Sequence, residues 1–201
     1  MKKLFLFVFI IAIIFSCSLA DMSEVVIPIS EENITTDNGR YEFMSVPWGC
    51  SPEEFEALAG ITLGEVDETD YPDLGFTRYV YRSPAARVTI LGLETTRMSV
   101  EFRNHALWCV DCGITSDEGV VLEYEELVNK LTVLLGEPDH VVSRTASSNP
   151  MGMQSELRRW VGEYEEGLIS TVALQMMGKD DTFTSLTIGW MLADPELIVT
   201  N

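Results

Sequence analysis

Two stretches of the chain repeat apolar residues at the spacing of an α-helix. In the first, Ser51 precedes Pro52 and Glu54, an arrangement typical of a helix start with a capping box, and Gly60 ends the segment. In the second, apolar side chains recur every three or four positions over residues 124–135, and a glycine follows directly. We therefore predict a short helix after Ser51 and a longer one over 124–135.

Alternating apolar and polar residues predict strands in most of the remaining chain. The predicted strands cover residues 76–81, 86–91, 98–102, 107–114, 157–161, 168–176 and 183–190. Residues 61–75 are interpreted as an acidic loop. The order helix, strands, helix, strands predicts an α+β fold, in which two helix-plus-strands units share one antiparallel sheet and the helices pack on one of its faces.

The N-terminus has the pattern of an export signal. Two lysines precede an unbroken apolar run over residues 4–15, which is shorter than the about 20 residues that a membrane-spanning helix needs. Ser16 and Cys17 follow and resemble the lipobox of bacterial lipoproteins, whereas a cut after Ala20 is the alternative. We favour lipidation of Cys17, which would anchor the protein on the extracytoplasmic side of a membrane; the cut after Ala20 would secrete it.

These patterns divide the chain into three segments. Residues 1–17 are predicted to be a signal peptide with a lipobox, residues 18–39 a flexible tether, and residues 40–201 a single domain. The tether is mostly polar or acidic. The remaining residues are numerous enough to bury one core without disulfides or metals.

The charge balance excludes one class of partner. The chain has 13 Lys and Arg residues against 32 Asp and Glu residues, which gives a formal net charge of −19. Nucleic-acid binding depends on basic side chains that contact phosphates, so we expect no nucleic acid as a partner. An acidic surface is typical of a soluble exported protein, and a basic partner remains open.

A family resemblance rests on the segments around the two helices. Trp48-Gly49-Cys50-Ser51-Pro52-Glu53-Glu54-Phe55 followed by Gly60 resembles the helix start of the small SmpA/OmlA (BamE-like) outer-membrane lipoproteins. Residues 125–139, then Trp160 and two late strands, resemble their helix, L-G-x-P turn and closing hairpin. Tandem copies of this αββ unit also occur in the β-lactamase-inhibitor-protein-like fold. The resemblance covers residues 46–192, departs from the family at Cys50, and implies binding or scaffolding in the cell envelope.

A W-C-x-x-C motif over residues 108–112 resembles the redox motif of thioredoxin-like proteins. It falls inside an alternating strand, where residues three apart point to opposite faces, so we do not expect Cys109 and Cys112 to form a disulfide. With Cys50, the domain has three candidate thiols, and an oxidising envelope would allow at most one disulfide among them, including a bridge to Cys50. Thiol–disulfide exchange at this motif is the alternative function.

Other chemistry has weaker support. His105 and His140 lack zinc-ligand spacing, and the aspartates at 67, 70 and 73 do not match a calcium loop, so we expect no metal. The chain also lacks the G-x-S-x-G, phosphate-loop and dinucleotide motifs, so we predict no catalytic residues and no cofactor. Hydrolysis of an envelope polymer by a carboxylate pair is a second alternative.

Aromatic residues supply candidates for an interaction surface. These candidates are Trp48, Trp108, Tyr79 and Tyr81, although aromatic side chains also commonly fill a core. The export signal and the absence of catalytic motifs favour a cell-envelope lipoprotein that acts as a binding or scaffold module. Its expected partner is another envelope protein.

Overall fold

The computed structural model describes residues 25–34, 39–82, 86–148, 152–165, 167–179 and 182–195. The predicted signal peptide, with the proposed lipidation site Cys17, lies outside the described residues. The lipobox at Cys17 and the alternative cut after Ala20 therefore stay predictions from the sequence.

Strands make up most of the described chain. They are β1 Val25–Ile29, β2 Val66–Tyr71, β3 Phe76–Arg82, β4 Ala86–Ile90, β5 Leu93–Glu94, β6 Arg97–Arg103, β7 Ala106–Thr115, β8 His140–Arg144, β9 Met153–Glu163, β10 Ile169–Lys179 and β11 Thr182–Ala193. Eight of them form one antiparallel sheet in the order β2-β3-β6-β7-β11-β10-β9-β8. A smaller sheet has the order β1-β4-β5, with β1 parallel to β4.

Both predicted helices are confirmed. Helix α1 spans Pro52–Ala59 and begins with the expected capping box: the Ser51 hydroxyl accepts from the Glu54 amide at 3.3 Å, and the Ser51 amide donates to Glu54 Oε2 at 2.8 Å. Gly60 ends the helix in a left-handed conformation at φ 68°, which glycine adopts without a steric penalty. Helix α2 spans Val121–Leu135 and buries Tyr124, Leu127 and Leu131.

One face of the eight-stranded sheet, which we call the covered face, packs against both helices. Helix α1 contacts β7, and helix α2 contacts β10 and β11. Phe43, from the segment before α1, lies edge-on to Trp190 with ring centroids 5.2 Å apart and stacks on Phe55 at 6.2 Å. Val88 and Ile90 of the smaller sheet join the same core. Burial of these large side chains supplies the main stabilisation, about 1.5–3 kcal/mol for each fully buried one.

Part of the segment that the sequence assigns to a tether packs into this core. Strand β1 pairs with β4 along five positions. Ile27, Ile29 and Ile34 are buried, and Ile34 has no exposed surface. The one apolar stretch of this segment therefore forms a strand that buries Ile27 and Ile29 in the core.

The predicted α+β fold class is wrong, because the described chain is predominantly β with only two helices. The tandem αββ fold that the family resemblance implied is wrong for the same reason. The sequence prediction lacks two strands at the outer positions of the sheet: β2, whose residues it assigns to an acidic loop, and β8. An edge strand pairs through backbone hydrogen bonds. A segment with charged side chains, such as β2, can therefore be an edge strand without an apolar pattern.

Candidate functional site

The face of the eight-stranded sheet opposite the helices is called the open face. Strand register assigns its residues, because side chains alternate between the two faces. Val110 pairs with both Val100 and Trp190, and these three residues are fully buried on the covered face. The open face therefore carries the intervening residues, such as Asp111 and its neighbour Gly189.

Arginines are concentrated on the open face. By strand register, six of them lie there, whereas the described strands place four acidic residues on the same face. The arginines are Arg78, Arg82, Arg97, Arg103, Arg144 and Arg159, and the acidic residues are Asp67, Glu101, Asp111 and Glu163. This face therefore has an excess of positive charge in a chain whose formal net charge is −19.

Three of these arginines form ion pairs with described residues, whereas Arg97 binds hydroxyl groups. Glu101 binds both Arg78, at 2.7 Å, and Arg103, at 3.0 Å, and Arg82 binds a carboxylate of β2 at 2.6 Å. Arg97 Nη2 instead donates to two hydroxyls of β11, Thr187 Oγ1 at 2.6 Å and Ser185 Oγ at 3.1 Å. Among the described residues no carboxylate forms an ion pair with Arg97, so its charge is positioned without being neutralised.

Two strand glycines make room for charged side chains on the open face. A Cβ atom on Gly113 would lie 2.8 Å from Arg97 Nε and 2.5 Å from the Leu186 carbonyl oxygen. A Cβ atom on Gly189 would overlap the Asp111 carboxylate. Glycine inside a strand often marks such a close approach. The Arg97 guanidinium and the Asp111 carboxylate therefore lie directly against the sheet backbone.

These groups line a cavity of about 370 Å³ on the open face. The lining side chains that can form hydrogen bonds are Arg82, Arg97, Ser99, Asp111, Gln175 and Thr187. Burial raises the pKa of the Asp111 carboxyl, although a hydrogen bond from the Cys109 thiol and the charge of Arg97 favour its ionised form. We call this cavity the Arg97–Asp111 pocket.

The three predicted thiols are separated by the sheet. Cys109 pairs with Glu101 on the open face, and Cys112 pairs with Met98 on the covered face. Cys50, Cys109 and Cys112 are all free and buried. Burial raises the pKa of Cys50 to about 11 and raises the pKa values of the other two well above their ordinary range. Each thiol is therefore a poor source of thiolate near neutral pH.

The four aromatic residues predicted as an interaction surface do not share one surface, although Tyr79 and Tyr81 lie on the same face of β3. Trp48 is buried and its indole nitrogen donates to the Tyr41 carbonyl oxygen at 2.9 Å. Tyr79 and Tyr81 occupy covered-face positions, beside Phe102 and Val100. The Trp108 ring lies 4.1 Å from the guanidinium of Arg103, an open-face residue.

The described residues contain no group of three or more His, Cys, Asp or Glu side chains that could hold a metal ion. The aspartates of the predicted acidic loop have other partners: Asp67 binds Arg82, and Asp70 accepts a hydrogen bond from the Thr77 hydroxyl at 2.6 Å. His105 stacks on Tyr79 at 4.3 Å. None of the helices within the described ranges is long and apolar enough to cross a membrane.

Sequence reasoning missed Arg97, Asp111 and their two glycines. The available signal was glycine inside an alternating strand pattern, at Gly113 and Gly189. That signal indicates a close approach but does not identify the approaching residue, which depends on strand register. The pocket forms because β6, β7 and β11 lie side by side in the sheet.

Comparisons with protein-family models, with curated proteins and with solved structures find no match to this chain, so they give no support to the SmpA/OmlA resemblance.

Proposed function

We propose that the protein is a cell-envelope lipoprotein that binds an acidic segment of another envelope protein across the open face of its sheet. The observation that carries this proposal is the concentration of six arginines on that face of an otherwise acidic chain. The proposal combines this charge distribution with the export signal and lipobox of the sequence.

Arginine suits this role because its planar guanidinium binds carboxylates through paired hydrogen bonds and is enriched at the centres of protein interfaces. The ion pairs of Arg78 and Arg103 with Glu101 hold two of these side chains in place before a partner arrives. Their positions in paired strands also limit the entropy that binding would cost. An acidic partner would meet positive charge on this face and repulsion from the rest of the acidic surface, which would orient it.

Site-specific photo-cross-linking in living cells tests the open face. A photoreactive amino acid would replace Val80, which lies on the open face beside Glu101. The matched control position is Glu125, which is exposed on helix α2. We expect a protein adduct from position 80, and we expect charge reversal by Arg78→Glu to reduce it. Equal adducts from both positions, or no adduct from position 80, would contradict the proposal.

The membrane anchor has its own test. Globomycin, which blocks processing of lipoproteins, is expected to cause accumulation of the unprocessed chain, and mass spectrometry is expected to find lipid on Cys17. A mature chain that begins at Asp21 without lipid would remove the lipoprotein part of the proposal and leave a secreted binding protein.

The two alternative functions receive less support from the described residues. Thiol–disulfide exchange needs a reactive thiolate and a nearby second thiol, whereas the Cys109 and Cys112 side chains lie on opposite faces of β7 with raised pKa values. We expect iodoacetamide to modify Cys109 slowly in the native protein near neutral pH and rapidly in urea. Fast modification of native Cys109 would favour the oxidoreductase. No observation favours polymer hydrolysis.

A further inference from the structure

The Arg97–Asp111 pocket contains two opposite charges that form no direct ion pair with each other. Both side chains line the cavity, yet no ion pair joins them among the described residues. Neutral groups adjoin each one: the hydroxyls of Thr187 and Ser185 accept from Arg97 Nη2, and Cys109, two residues before Asp111 in β7, lies on the same face. The pocket therefore presents one positive and one negative group, each with unused hydrogen-bonding capacity.

Strand register gives the spacing of these charges. The Arg97 guanidinium lies over Gly113, which pairs with Thr187 of β11. The Asp111 carboxylate lies against Gly189, its own partner in β11. These two levels of the sheet are two residues apart along each strand, or about 7 Å. The two side chains form no direct ion pair across this gap between levels, and the cavity that they line has room for one bridging molecule.

The molecule that fits this gap carries both charges on neighbouring atoms. In an α-amino acid the ammonium nitrogen and the carboxylate oxygens lie about 3 Å apart. A charge-assisted hydrogen bond at each end adds about 2.8 Å. An amino acid bound in a bent arrangement can therefore reach both Arg97 and Asp111. A simple anion would bind Arg97 and leave Asp111 facing a second negative charge. A simple cation would bind Asp111 and leave Arg97 facing a second positive charge.

The remaining lining groups are compatible with such a ligand. Ser99, Gln175 and Thr187 supply neutral donors and acceptors around the two charges. Burial raises the pKa of Asp111, so its ionised carboxylate lacks solvation that a bound ammonium group would replace. The volume of about 370 Å³ is at the lower end for small-molecule pockets, which suits a ligand of this size.

We propose that the Arg97–Asp111 pocket binds a free α-amino acid, with Arg97 on the ligand carboxylate and Asp111 on the ligand ammonium group. This inference rests on the open face being accessible in the mature protein, as the proposed function also requires, but it does not depend on a protein partner.

Calorimetry with the purified full-length mature protein tests the pocket. The twenty common L-amino acids are first screened singly by thermal shift, and the one with the largest stabilisation is titrated. Its N-acetyl derivative lacks the ammonium charge and its amide lacks the carboxylate, while its side chain is unchanged. We expect each blocked derivative to bind at least tenfold more weakly than the free amino acid. The absence of binding by all twenty would overturn the inference.

Three variants assign the contacts. Arg97→Gln and Asp111→Asn are each expected to weaken binding at least tenfold. Arg144→Gln, which changes an arginine of the same face on the outer strand β8, is expected to leave it unchanged. Circular dichroism confirms that each variant is folded. If a variant does not fold, the two blocked derivatives still decide the question on the unmodified protein.

The outcomes separate this inference from the proposed function. Acetate that binds as tightly as the free amino acid, or equal binding of the N-acetyl derivative, would show an anion site and overturn the inference. Neither result changes the expected cross-linking at position 80. Conversely, loss of the cross-link with retained amino-acid binding would contradict the proposed protein partner and leave the inference about the pocket in place.

Discussion

Two glycines determine what the centre of the open face can hold. Most strand positions carry a Cβ atom that keeps long side chains away from the backbone. At Gly113 and Gly189 this atom is absent, and the Arg97 and Asp111 side chains occupy the space. The pocket is thus a consequence of missing side chains as much as of the charged groups that line it.

Substitution of Gly189 by alanine tests this interpretation. The added methyl group would overlap the Asp111 carboxylate, which must then move, so we expect Gly189→Ala to lower the free energy of unfolding by about 1–3 kcal/mol. Urea denaturation measures the change. The same substitution in an Asp111→Ala background is the control and should lower the free energy of unfolding by clearly less. An equal decrease in both backgrounds would mean that the strain does not come from contact with the Asp111 carboxylate.

The buried carboxyl of Asp111 makes a second prediction, which concerns pH. Burial raises its pKa in the folded state above the ordinary value of about 3.9 for an unfolded chain. The folded protein then binds this proton more tightly than the unfolded protein does. The free energy of unfolding therefore decreases as the pH rises from the unfolded pKa through the folded pKa.

Asp111→Asn removes this titration. We expect the stability of the variant, relative to the unmodified protein, to increase as the pH rises above about 4 and to level off once Asp111 is ionised in the folded state. Urea denaturation at a series of pH values measures the difference. A difference that is independent of pH, or that changes in the opposite direction, would show that the folded pKa of Asp111 is not raised.

The helices and most central strands could be predicted because their signals are local. The capping box at Ser51 and the apolar spacing of α2 depend only on neighbouring residues. The predicted strand over 107–114 corresponds to β7, and its alternation placed Cys109 and Cys112 on opposite faces, as the register confirms. Strand β2 was missed because its side chains are charged and exposed, so that only its pairing with β3 defines it.

The candidate site could not be predicted in the same way. Arg97 and Thr187 are far apart in sequence, and they meet because β6, β7 and β11 are adjacent in the sheet. No periodicity within one strand contains this information. The sequence therefore predicts which face of its strand a residue occupies. Which residues share a pocket depends on the order of strands in the sheet.

The capping box of α1 gives a prediction for that helix. Ser51→Ala removes the hydroxyl that accepts from the Glu54 amide, and we expect the free energy of unfolding to decrease by about 1 kcal/mol. Ser143→Ala, an exposed serine of the outer strand β8, is the matched control and should change stability by less than about 0.5 kcal/mol. Equal effects of the two substitutions in urea denaturation would contradict a specific role for the cap.

The two faces of the main sheet have different roles in the whole protein. The covered face supplies the core, and strand β1 belongs to that core although it lies close to the N-terminus. The segment that follows the predicted export signal therefore contributes to the core. If Cys17 carries lipid, the anchor is joined to the domain within a few residues of a structural strand.

Ile29→Ala tests the contribution of β1 to the whole fold. The side chain is 2% exposed, so its truncation leaves a cavity, and we expect a loss of about 2–5 kcal/mol in the free energy of unfolding. Val133→Ala, at a position that is 86% exposed on α2, is the control and should have little effect. If the two substitutions had similar small effects in urea, β1 would be dispensable for stability.

The charged outer strand β2 has a consequence for crowded conditions. Its unpaired edge is flanked by Asp67, Glu68 and Asp70, so two copies that approach edge to edge bring like charges together. If the protein is anchored through Cys17, its copies share a thin layer above the lipid, where collisions between such edges are frequent. We expect repulsion between these carboxylates to oppose edge-to-edge pairing, and because salt screens charges beyond about 8 Å, this effect acts only at close range.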